Sequence, residues 1–145
     1  RNLLENGKVV FATDFNKNDL AACAYLATAG GMLNFTTAVV HVKSKKEMDS
    51  LNSEKESHFV GRLKLMGSHT LHYRLLLGEE VFGTLEKWHE ISGLECLALS
   101  EHHRAFFFSA FRKNTLKGAI AASQIPLLVF PTHFEHREYF ETAAE

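Results

Sequence analysis

The residues able to do chemistry fall into three groups. Asp14, His41, His102 and His103 pair a carboxylate with imidazoles, a donor set that suits Zn²⁺. Adjacent residues such as His102 and His103 seldom turn both rings onto one ion, so no native metal is expected. Ser100 next to His102 and His103 has the residue types of a nucleophile and a base. No G-x-S-x-G elbow surrounds it, however, and no orienting acid is fixed by spacing, so an enzyme is not expected. The third group is basic: Arg104, Arg112, Lys113 and Lys117 flank Asn114 and Thr115. A helix beginning at Asn114 presents free backbone N–H groups, which attract anions, and Arg112, Lys113 and Thr115 could grip a phosphate with side chains.

These residues need a frame, and the apolar pattern supplies one. Lys8–Asp14 (KVVFATD) reads as a strand buried on both faces. Asn16 can cap the helix that follows, with Asp19 in its first turn favouring the helix dipole. Leu20, Cys23, Ala24, Ala27 and Gly31 continue at helical spacing, and Gly30-Gly31 is expected to stop the helix. Phe35–Val42 is a second strand, and 43–66 is helical in its second half. Thr70–Leu77 is a third strand, closed by Gly78. A helix over 79–91, a strand over Glu95–Leu99, a helix over 114–123 and a last strand over Ile125–Phe130 complete the order. Apolar strands alternating with helices give a doubly wound parallel α/β sheet.

In such sheets a ligand sits beyond the carboxyl ends of the strands, where the strand order reverses. The crevice is thereby assigned to Thr13, Asp14 and Phe15 after the first strand, His41 and Val42 after the second, and Ser100, His102 and His103 after the fourth. Lys113, Asn114 and Thr115 complete its rim. Phe106-Phe107-Phe108, with Phe111, cannot all face one side of an element. Those rings fill the crevice, plug the core, or meet a protein partner.

Composition excludes several classes. The 145 residues suffice for one α/β unit, assigned to 1–131, followed by a polar, acidic tail over 132–145. A formal charge of −1 argues against a nucleic-acid partner. No apolar run approaches the roughly 20 residues that span a bilayer. Cys23 and Cys96 lie far apart in apolar stretches and read as buried hydrophobes in a reducing compartment, so a cytoplasmic protein is expected. The first residues carry no secretory leader pattern, and Arg1 in first place suggests one half of a longer, tandem chain.

VVFATDF, AVVHV, the helix opened by Gly78 and the closing TLKGAIAASQIPLLVF together resemble the universal stress protein domain over about Lys8 to Pro131. The resemblance implies a flavodoxin-like, five-stranded sheet of order 3-2-1-4-5 and a role in stress tolerance. It also implies a homodimer, or a pseudo-dimer of tandem domains, through the last strand at Pro126, Leu127, Leu128, Val129 and Phe130. The ATP-binding branch of that family carries G-x2-G-x9-G-[ST] after the fourth strand. Here Ser100, His103 and Lys113 stand on the glycine positions and Asn114 on the hydroxyl position, with Thr115 next. Asp14, whose family counterpart meets the adenine end, and the pocket-wall residue Val42 remain. The resemblance thus implies a non-enzymatic binding or scaffold domain without tight ATP binding, and no cofactor; ATP or AMP is disfavoured. Two alternatives stay open: a nucleotide- or anion-binding module with a modified phosphate site, and a metal-dependent hydrolase using Asp14, His102 and His103.

Overall fold

A computed structural model describes residues 7–44, 53–78, 84, 85, 87, 95–102, 126–132 and 134. Five strands form one sheet: β1 (Lys8–Ala12), β2 (Thr36–Lys43), β3 (Leu71–Leu77), β4 (Cys96–Ser100) and β5 (Leu127–Phe130). Their order is β3-β2-β1-β4-β5, as expected, and every adjacent pair is parallel. The order reverses between β2 and β4, on either side of β1.

The sheet is covered on both faces, which explains why its central strands carry no polar alternation. On one face Val9, Phe11, Val39, Cys96, Ala98 and Phe130 pack against α1 (Asn18–Leu33) and α2 (Ser53–Leu65) through Leu20, Cys23, Leu26, Phe59 and Leu63. On the other, Val10, Ala12, Val40, Val42, Leu97 and Leu99 pack with Leu85. Of the helix expected over 79–91, only Thr84, Leu85 and Lys87 are described, and these are helical. The helix expected over 114–123 and the Phe106–Phe108 run lie outside the described residues. Phe134, beyond the expected domain boundary, packs on Phe130 and Tyr25 with ring centroids 5.0 and 5.7 Å apart.

One expectation needs correcting. Gly30-Gly31 does not stop α1, which runs on to Leu33 and ends at Asn34 in the left-handed region, φ 61°. The Asn34 amide donates to the Gly30 carbonyl, so asparagine supplies the terminating turn usually given to glycine. Gly30 serves packing instead: a Cβ there would sit 2.6 Å from the Phe35 carbonyl oxygen, whereas one on Gly31 would meet nothing within 4 Å.

Candidate functional site

The site grows from the end of β1. Its neighbours β2 and β4 hold it in register, Ala12 standing opposite Val40 on one side and Leu99 on the other. The chain then leaves the sheet, and Thr13 keeps one ladder bond by donating its amide to the Val40 carbonyl at 2.9 Å. The next residues form a tight run of side-chain-to-backbone turns. Thr13 Oγ1 accepts the Phe15 amide at 3.0 Å, Asp14 Oδ1 accepts the Asn16 amide at 3.1 Å, and Asn16 Oδ1 accepts the Asn18 amide at 3.0 Å. The last bond satisfies the first amide of α1, although the residue at the N-cap position is Lys17, whose side chain makes no capping bond, and not the Asn16 expected there.

Phe15 takes the left-handed conformation, φ 68°, which costs a non-glycine residue about 1–2 kcal/mol. Packing holds it there. Its ring is buried, 4.1 Å from the His41 ring and 5.7 Å from that of Phe59, centroid to centroid. His41 in turn donates Nδ1–H to the Thr13 carbonyl at 2.7 Å, which fixes the tautomer of the ring. His41 therefore ties β2 to the β1 loop instead of converging with Asp14 on one centre.

Asp19 is the residue whose part was missed from sequence. It sits in the first turn of α1, as read, but its carboxylate is completely buried. Thr13 Oγ1 donates to its Oδ2 at 2.8 Å, and Ser100 Oγ, at the end of β4, donates to its Oδ1. One carboxylate thus bolts together the carboxyl ends of β1 and β4 and the start of α1. No signal in the sequence marks this burial, because an acidic residue in the first turn of a helix fits an exposed dipole partner equally well.

His102 lies just past β4. Its Nε2 is 3.6 Å from Asp14 Oδ1 and 3.9 Å from Asp19 Oδ1, and Asp14 is half exposed while Asp19 is not. The structure therefore brings together Thr13, Asp14, Ser100 and His102 of the expected rim and adds Asp19. Val42 is buried in the opposite cluster with Val40 and Leu85. His103, Lys113, Asn114 and Thr115 lie outside the described residues. At the sheet edge, Leu127 and Leu128 of β5 are exposed, Pro126 precedes them, Val129 is half-buried, and Phe130 points inward onto Phe11.

Below the site, burial pushes the Cys23 thiol well above its usual range, and the Asp19 carboxylate adds to the effect. Burial raises Cys96 as well. Both thiols are free. Among the described residues no helix is long and apolar enough to cross a membrane.

No protein-family model matches the chain, and no curated protein does either. Solved structures do. A universal stress protein in complex with cAMP is 14% identical, covers 86% of this chain and 95% of its own, and superposes with a TM-score of 0.58. A universal stress protein family member from Burkholderia pseudomallei is 15% identical over 91% of this chain and 99% of its own, TM-score 0.59. The universal stress protein of Archaeoglobus fulgidus in complex with dAMP is 15% identical over 85% of this chain and 96% of its own, TM-score 0.58. Five parallel strands in the order β3-β2-β1-β4-β5, reversing beside Asp14, and this agreement along almost the whole length show that the chain has the universal stress protein fold.

Proposed function

We propose that this chain is a non-catalytic universal stress protein domain. It acts in stress responses as a dimeric or tandem-domain binding protein and does not hold ATP tightly. The observation that carries the reading is the pair of carboxylates at the strand ends. Asp14 and Asp19 stand within 4.8 Å of one another and of His102, beside Ser100 on the first glycine position of the family's phosphate loop. A phosphate-binding loop needs bare backbone N–H groups and positive potential. Here Ser100 is buried and its hydroxyl is given to Asp19, and among the described residues both Asp14 and Asp19 stand beside it as acidic side chains. The same bond speaks against catalysis, because the Ser100 proton goes to a buried carboxylate and not to an imidazole base.

Calorimetric titration of the EDTA-treated protein with ATP is the direct test. No heat of binding up to about 1 mM ATP is expected, whereas a Kd near or below ~10 μM overturns the reading. A second reading, a nucleoside monophosphate site, is favoured by the half-exposed Asp14 at the switch point and by the relatives in complex with cAMP and dAMP. A monophosphate brings less negative charge to the carboxylate pair. Saturable AMP binding that Asp14→Asn abolishes would select it.

A further inference from the structure

We propose that Asp14, Asp19 and His102 form a binding site for a divalent transition-metal ion, for which Zn²⁺ is the natural probe. The sequence by itself argued against a metal, because the adjacent rings of His102 and His103 were its best pair of donors. The fold supplies a different set: one imidazole nitrogen and two carboxylates, brought from the β1–α1 turn, the first turn of α1 and the residue pair after β4.

Three features of this arrangement fit an ion. The first is spacing. Ligands at 2.0–2.2 Å around a tetrahedral ion stand about 3.4 Å from one another. His102 Nε2 lies 3.6 Å from Asp14 Oδ1 and 3.9 Å from Asp19 Oδ1, and all three donor atoms fall within 4.8 Å of each other. Both His–Asp separations are too long for a hydrogen bond and only a few tenths of an ångström longer than a shared ion requires. The second is orientation. Asp19 is held rigid by Thr13 and Ser100, and Asp14 by the Asn16 amide, the kind of outer support that aims metal-binding carboxylates. The third is electrostatics. Two carboxylates this close repel one another, and the buried one gains from any cation placed between them.

A nitrogen with two oxygens suits Zn²⁺ or Mn²⁺ better than the all-oxygen preference of Ca²⁺ or Mg²⁺. Three protein donors leave one position open to water or to an anionic ligand. Asp14 is half exposed, so solvent reaches the cluster on its side.

The inference extends the binding-protein reading of the same site, yet its test contains no nucleotide, so either can fail alone. The full chain, freed of metal with EDTA and dialysed, is titrated with ZnCl₂ by calorimetry. One ion per chain is expected, with Asp14→Asn and His102→Gln each weakening binding by at least ~10-fold. His72→Gln, an exposed histidine remote from the cluster, should leave affinity within about twofold. Asp19 is left unsubstituted because its loss threatens folding. Absence of one-to-one binding overturns the proposal, as does binding unaffected by Asp14→Asn and His102→Gln, or binding weakened equally by His72→Gln.

Discussion

At the residue scale, the buried Asp19 carries more of the structure than any exposed member of the rim. It accepts hydroxyl protons from Thr13 and Ser100, so its removal strands two buried hydroxyls at once. Each unsatisfied group costs about 1–3 kcal/mol. Asp19→Ala should therefore lower stability by about 2–4 kcal/mol, and Asp19→Asn, which keeps one acceptor, by about half as much. A urea denaturation midpoint measures both. Loss of less than about 0.5 kcal/mol in Asp19→Ala would show that the carboxylate is not the bolt described. The thiols give a pH prediction. Cys23 is raised well above 9.0 by burial and by Asp19, and Cys96 by burial. Above about pH 9 the unfolded chain loses thiol protons that the folded chain retains. The unfolded state then binds fewer protons, so stability must fall as pH rises through this window. Below it the thiols contribute no slope. Denaturant midpoints from pH 8 to 10 should decline, and less so in Cys23→Ala; a flat or rising profile contradicts the assignment. In the native state at pH 8, Cys23 should also resist iodoacetamide.

At the scale of elements, α1 shows how a local signal and a tertiary requirement can be confused. Two consecutive glycines read as a helix stop, yet they sit inside the last turns of α1. Gly30 is there because the chain returning into β2 passes against it, leaving a Cβ only 2.6 Å from the Phe35 carbonyl. Gly31 faces open space. The two positions should separate cleanly. Gly31→Ala is expected to stabilise by about 0.5–1 kcal/mol through helix propensity and a less free unfolded chain. Gly30→Ala should destabilise by at least ~1–2 kcal/mol, because backbone has to move. Thermal denaturation of the two variants decides it; equal shifts of the same sign would refute the packing account. Asn34 takes the terminating role because its left-handed conformation costs asparagine little.

At the scale of the molecule, the sheet has two edges, β3 and β5, and each presents leucines to solvent: Leu75 and Leu77 on one, Leu127 and Leu128 on the other. An unblunted apolar edge invites pairing with another strand. If β5 is the seam of a dimer, as the family resemblance implies, Leu127→Lys with Leu128→Lys should yield monomers by light scattering. The fold itself should survive, since both side chains are exposed. The corresponding pair Leu75→Lys with Leu77→Lys should leave a β5-mediated dimer intact, and the reverse outcome would move the interface to β3.

The sequence by itself determined the layers of this protein. Runs such as Val9-Val10-Phe11 and Ala38-Val39-Val40 lack polar alternation because both faces of the sheet are covered, and that pattern specifies a parallel, doubly wound sheet without reference to coordinates. It also located Thr13, Asp14 and Ser100 at strand ends, since strand ends are where apolar runs meet polar residues. It could not show that Asp19 turns inward between them, nor that His41 serves as a brace beneath Phe15. Those outcomes depend on which strands become neighbours: only when β4 lies beside β1 does Ser100 reach a residue 81 positions earlier. Periodicity reports how each segment is covered, whereas contacts between segments are set by the packing of the whole. The cluster of Asp14, Asp19 and His102 is of the second kind, and the tertiary structure alone decided it.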